Sequence, residues 1–118
     1  MAARFFVDEN DLALGKALAA GRGGVVYPGH PDLPGVRRRT PDDVWLRAIG
    51  EQSLVVITRD QKIRYRPVEK LAWLSNGVRG FVLTGRVSQS TANSIAILDE
   101  HWHSIEATTA IRPTGPWM

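Results

Sequence analysis

The sequence predicts an α/β fold of three layers, α/β/α, with helices on both faces of a mainly parallel sheet of four or five strands. Three observations carry this expectation. Leu54-Val55-Val56-Ile57 is an unbroken apolar run with three β-branched members, the pattern of a strand buried on both faces. Short strand-like runs alternate with helical patterns along the chain, which implies parallel pairing through right-handed crossovers. Two of the runs give way to acid, Arg4 to Val7 at Asp8-Glu9 and Leu54 to Thr58 at Asp60. In an open parallel sheet such strand ends border the ligand crevice.

Taken in order, the first strand is Arg4 to Asp8. Asn10 or Asp11 is placed to cap a helix through Ala20, with Leu12, Leu14, Ala17 and Leu18 on its apolar face. Gly21 ends it, and Val25-Val26-Tyr27 is a short second strand. Pro28, Gly29, Pro31, Pro34 and Gly35 then break any regular element, so residues 28 to 39 form a loop carrying His30, Asp32 and Arg37-Arg38-Arg39. Thr40 is the expected N-cap of the next helix, with Pro41 in its first position and Asp42 and Asp43 in its first turn. Val44, Trp45, Ala48 and Ile49 make its buried stripe, and strand three, Leu54 to Thr58, follows. Pro67 opens a third helix with Val68, Leu71, Ala72 and Leu74 facing inward, closed by Asn76-Gly77. Strand four centres on Phe81-Val82-Leu83. Ser88 or Ser90 caps a last helix over roughly residues 91 to 107, with Ile95, Leu98, Trp102 and Ile105 on one face. The tail, 112–118, has two prolines and a glycine and is expected to be irregular.

The 118 residues suffice for one domain, 1–118, with an unstapled core. There is no cysteine, which excludes disulfides and thiolate metal sites and suits a reducing, cytoplasmic setting. Nothing at the N-terminus reads as a signal peptide, and no segment approaches the length of a membrane span. The net charge is +3, and the excess is clustered at Arg37-Arg38-Arg39 and at Lys62, Arg64 and Arg66. Such clusters suit phosphates, or are simply solvated loop residues.

Three acidic places converge in this arrangement: Asp8-Glu9, Asp42-Asp43 and Asp60. Carboxylates in one cleft repel each other unless a cation neutralises them, and Mg²⁺ or Mn²⁺ prefers such hard oxygen ligands. Each acid also has a plainer role. Asp42 and Asp43 suit the helix dipole, Asp60 a turn, and Asp8 a helix cap.

Phe6-Val7-Asp8-Glu9-Asn10, Thr40-Pro41-Asp42-Asp43-Val44-Trp45-Leu46 and Val56-Ile57-Thr58-Arg59-Asp60 resemble the three motifs of PIN and PIN-like domains. The closest likeness is to small PIN-like proteins with a "DEN" start and a "TRD" strand end, related to VapC-type toxins. The resemblance spans residues 4 to about 84 and extends to the loop from Gly29 to Gly35 and the stretch from Lys62 to Pro67. It implies a Mg²⁺- or Mn²⁺-dependent ribonuclease, often the toxin of a toxin–antitoxin pair, with RNA as substrate and an antitoxin protein as partner. Asp8 and Asp60 are then catalytic metal ligands, the middle acid is Asp42 or Asp43, and Glu9 is a supporting ligand. Many PIN domains carry a further acid after the last one, whereas Gln61-Lys62-Ile63-Arg64 is basic here. That implies either a site with one firmly held ion or a weakened activity.

In this reading Arg38, Lys62 and Arg64 hold the RNA backbone and Thr58 orients Asp60. His30 is a loop residue, because a metal-activated water needs no histidine base. His101 and His103 lack the spacing of a helical zinc pair. A phosphoryl-receiver domain shares the acidic strand ends but needs a later lysine, and the last lysine, Lys70, precedes strand four. The remaining alternative is a non-catalytic PIN-like module that binds RNA or protein. Trp73, Trp102 and Trp117 are candidates for its interface, or for that of a homodimer or antitoxin complex, and are otherwise core or tail residues.

Overall fold

A computed structural model describes residues 4–60, 66–84 and 90–117. Its strands are β1 (Phe5–Val7), β2 (Val25–Val26), β3 (Val55–Thr58) and β4 (Arg79–Val82), and its helices α1 (Leu12–Gly21), α2 (Asp42–Glu51), α3 (Pro67–Ser75) and α4 (Thr91–Ile111). The described strands form one sheet in the order β2-β1-β3-β4, parallel throughout. Side chains alternate across a strand, and here the alternation divides the core in two. Phe6, Val26 and Val56 face α2 and α3, where Trp45, Leu46, Ile49 and Trp73 cover them. Phe5, Val7, Val25, Val55 and Ile57 face α1 and α4, where Leu14, Leu18, Leu98, Trp102 and Ile105 cover them. The result is the expected three-layer α/β/α arrangement, with four strands. No described helix is long and apolar enough to cross a membrane.

Several local expectations are corrected. Asp11 does not cap α1 with its side chain; residues Glu9–Asp11 form a 3₁₀ turn that leads into the helix. Thr40 does not cap α2 either. Pro41 stands at the cap, and the Thr40 hydroxyl accepts from the Arg37 N–H at 3.0 Å and donates to its carbonyl at 2.7 Å. The breaker-rich loop is irregular as expected, yet it buries Leu33 and Val36 in the core. Ser90, one of the two cap candidates, accepts from the Asn93 N–H, and α4 runs on to Ile111; Ser88 lies outside the described residues.

The inward face of α3 differs most. Val68, Leu71 and Leu74 are exposed, and Trp73 is the buried anchor. At 100° per residue those three stand about 100° to 160° around the helix from Trp73, so a helix seated through Trp73 turns them to solvent. The seat is Gly80 on β4, where an added Cβ would overlap the Trp73 indole. Trp102 is also core, against Phe5 at 4.9 Å, and half-buried Trp117 stands edge-on to Phe81 at 5.2 Å. The tail is more ordered than expected: Trp117 bridges to β4, accepting from the Gly80 N–H at 3.0 Å and donating to the Val78 carbonyl at 3.2 Å. Arg79 is buried at the start of β4. It donates to the Ser53 carbonyl at 2.7 Å and to the Thr109 and Arg112 carbonyls at the end of α4 at 3.4 Å. Burial lowers its pKa from the ordinary value.

Candidate functional site

β1 lies beside β3 with Val7 opposite Ile57, so Asp8 and Thr58 leave the sheet side by side at its C-terminal edge. The chain departs from β1 toward β2 on one side, while β3 lies on the other. That is the switch in direction where open α/β sheets form a crevice. A small cleft of about 50 Å³ opens there, with Asp8, Glu9, Arg37, Thr40 and Asp42 in its lining.

Asp8 is the buried centre of the site, 5% exposed. Its Oδ1 has no hydrogen-bond partner among the described residues. Its pKa is raised from 3.8 to about 7, first by burial, then by the charge and hydrogen bonding of the Asp11 carboxyl, then by the charge of Asp42; the Asp11 backbone N–H pulls the other way. An ionised carboxylate here is under electrostatic stress that a bound cation would relieve.

Asp11 is the acid that the motif reading passed over. Its Oδ2 accepts from the Arg59 N–H at 2.9 Å and its Oδ1 from Arg59 Nε at 2.7 Å, with the Thr58 hydroxyl 3.4 Å away. This buried ion pair ties the turn after β1 to the end of β3. Asp60 follows. Its backbone N–H donates to Thr58 Oγ1 at 3.0 Å, and its carboxylate is ion-paired with Arg66. Arg66 also reaches Glu69 Oε1 at 3.0 Å. The Glu69 pKa is raised, first by burial and then by the charge of Asp42, while Arg66 lowers it. The charge of Asp42, whose Oδ1 accepts from Trp45 Nε1 at 2.8 Å, thus acts on both Asp8 and Glu69. Asp43 is exposed and is not in the cleft lining.

The other expected site residues lie further out. Glu9 accepts from the Arg39 N–H at 2.6 Å and sits 3.7 Å from Arg38 Nε. Lys62 and Arg64 lie outside the described residues. His30 is a loop residue whose Nδ1 accepts from the Asp32 N–H at 3.0 Å. The structure thus brings Asp8 and Asp42 together, adds Asp11 and Glu69, and turns Asp60 to Arg66 and Glu9 to the arginine loop.

Among the described residues no three Asp, Glu or His side chains are grouped so as to hold a metal ion. Mg²⁺ is commonly held by one or two carboxylates, with water and substrate phosphate completing its shell. Asp8, with its orphaned buried oxygen, and Asp42 fit that more modest requirement. The signals available for the missed residues were Asp11, one turn after Asp8, and Glu69, an acid in the first turn of a helix that begins with Pro67.

No curated protein and no solved structure matches the chain. Residues 3–85, which include every acid of this edge, match the family described as PIN like domain, and the chain belongs to that family.

Proposed function

We propose that the protein is a Mg²⁺- or Mn²⁺-dependent ribonuclease, the toxin component of a toxin–antitoxin pair. The observation that carries the reading is the buried Asp8 carboxylate, with an unpartnered Oδ1 and a pKa near neutrality, in a cleft shared with Asp42. Asp8 and Asp42 would hold the ion, and Asp60 would join them on leaving Arg66. The ion, when bound, supplies polarisation of the phosphoryl oxygen and a water of lowered pKa. Trp45 keeps the Asp42 carboxylate aimed through its Nε1, and the Asp11–Arg59 pair fixes the two strand ends relative to one another. Arg38, Lys62 and Arg64 would contact the RNA backbone. A protein partner is supported by Val68, Leu71 and Leu74, which stand exposed on α3; neighbouring exposed apolar side chains suit an interface.

Cleavage of a panel of RNAs with and without Mg²⁺ or Mn²⁺, with Asp8→Asn as control, tests the activity. Metal-dependent cleavage abolished by the substitution is expected; metal-independent cleavage would remove the metal requirement, and absent cleavage would remove the enzyme reading. One observation favours the alternative, a PIN-like module that binds RNA or protein without cutting. Arg66 already neutralises Asp60 and Glu69. Absence of any metal effect on the melting temperature would select that alternative.

A further inference from the structure

Glu9 and Asp8 are neighbours in sequence, but the structure gives them different work. Asp8 faces the acids. The Glu9 side chain crosses to the loop before α2, where Oε2 accepts from the Arg39 N–H at 2.6 Å and Oε1 lies 3.7 Å from Arg38 Nε. Arg39 has φ of 67°, a left-handed backbone uncommon for any residue other than glycine. Thr40 supplies the second restraint. Its hydroxyl bonds both the N–H and the carbonyl of Arg37, and its own N–H donates to that carbonyl at 3.2 Å. The three arginines are therefore carried on a turn pinned at both ends, and Arg37 and Thr40 line the same cleft as Asp8 and Asp42.

We propose that Glu9 is a positioning residue for the nucleic-acid substrate and not a metal ligand. It holds the Arg37-Arg38-Arg39 turn at the lip of the acidic cleft, so that the turn clamps phosphates flanking the bond to be cut. The inference rests on the ribonuclease reading and deepens it. An acidic cleft repels a polyanion, and substrate must be held by cations beside the acids rather than by the acids themselves. A fixed turn loses less freedom when it meets phosphate than three solvated arginines would. The Glu9 carboxylate, together with the Thr40 hydroxyl, holds the backbone from which the three arginines project.

The test uses the full chain, a fluorescent 2′-O-methyl oligoribonucleotide that resists cleavage, and Mn²⁺ alone as the metal probe. Glu9→Ala is expected to weaken oligonucleotide binding by about five- to tenfold, the size of one ordinary hydrogen bond's net contribution, and to speed hydrogen exchange at the Arg39 amide. The Mn²⁺-induced rise in melting temperature should persist unchanged. Glu9→Gln keeps an oxygen for the Arg39 N–H and should restore much of the binding, and it guards against a folding defect in the alanine variant. Loss of the Mn²⁺ effect in either variant with binding intact would make Glu9 a ligand and overturn the proposal. Unchanged binding in Glu9→Ala, in a wild type that binds the oligonucleotide, would overturn the proposal alone. A wild type that binds neither oligonucleotide nor Mn²⁺ would overturn the ribonuclease reading with it.

Discussion

Replacing Asp8 by asparagine removes an ionisation that the fold opposes. Near pH 4 the carboxyl is protonated in the folded chain and about half ionised in the unfolded one, so the substitution should matter little. Between the ordinary value of 3.8 and the folded value of about 7, the folded state keeps a proton that the unfolded state releases. Raising the pH through this window therefore destabilises the wild type, and above it the full penalty stands. At about 1.4 kcal/mol for each pH unit between the two values, the penalty at pH 8 is on the order of 4 kcal/mol. For a domain of this size that corresponds to roughly 10 °C or more in melting temperature. The assay is a series of thermal melts in EDTA from pH 4 to pH 8 for wild type and Asp8→Asn. The variant should be close to wild type at pH 4 and progressively more stable as the pH rises. Mn²⁺ at pH 8 should then stabilise the wild type and leave the variant unmoved. A constant difference across the pH range, or a variant less stable at pH 8, would refute the claim that Asp8 is stressed at neutral pH.

Further outcomes follow from neighbouring contacts. Metal binding must displace the Asp8 proton, so the apparent Mn²⁺ affinity by calorimetry should rise with pH up to about 7 and level off above it. Asp42→Asn should abolish the metal-induced rise in melting temperature and Asp43→Asn should keep it; the reverse result would make Asp43 the middle acid. In wild type that rise should grow with the logarithm of metal concentration, with Mn²⁺ acting at lower concentration than Mg²⁺. Arg66→Gln removes a cation that Asp60 and Glu69 share and should strengthen Mn²⁺ binding. Because Arg66 is 44% exposed, its ion pairs should contribute no more than about 1 kcal/mol to metal-free stability by urea titration. Gly80→Ala should cost about 1–3 kcal/mol by the same measurement, because Trp73 must yield to the new methyl group.

The parallel sheet was legible because its strands carry their signal locally. Val55, Val56 and Ile57 are apolar in succession, and only a strand covered on both faces accepts such a run. The acidic ends of β1 and β3 were legible for the same reason, since a strand end fixes where the next side chain emerges. What could not be read is contact between elements. Whether Asp11 caps a helix or receives Arg59 depends on how close β3 comes, 48 positions away. Whether Asp60 meets a metal or an arginine depends on where α3 delivers Arg66. The face of α3 was misread because Val68, Leu71 and Leu74 form as good a stripe as Trp73 and Ala72. A single large ring over a glycine, a pairing between separate elements, decided which stripe went inside. Asp42 and Asp43 are equivalent in composition, and only the hydrogen bond from Trp45 and the direction of the cleft separate them.

The seat of Trp117 bears on what the β4 edge can offer to another chain. β4 is an outer strand, and an outer strand offers N–H and C=O groups that invite a strand from another chain. Trp117 occupies two of them, at Gly80 and Val78, and its indole meets Phe81 edge-on. Among the described residues it meets β4 through an isolated parallel bridge. Those two groups of the β4 edge are thereby withheld from a strand of another chain. The acids gather at the ends of the strands and Trp117 lies along the flank, so its removal would uncover two groups of the β4 edge without touching the lining of the acidic cleft.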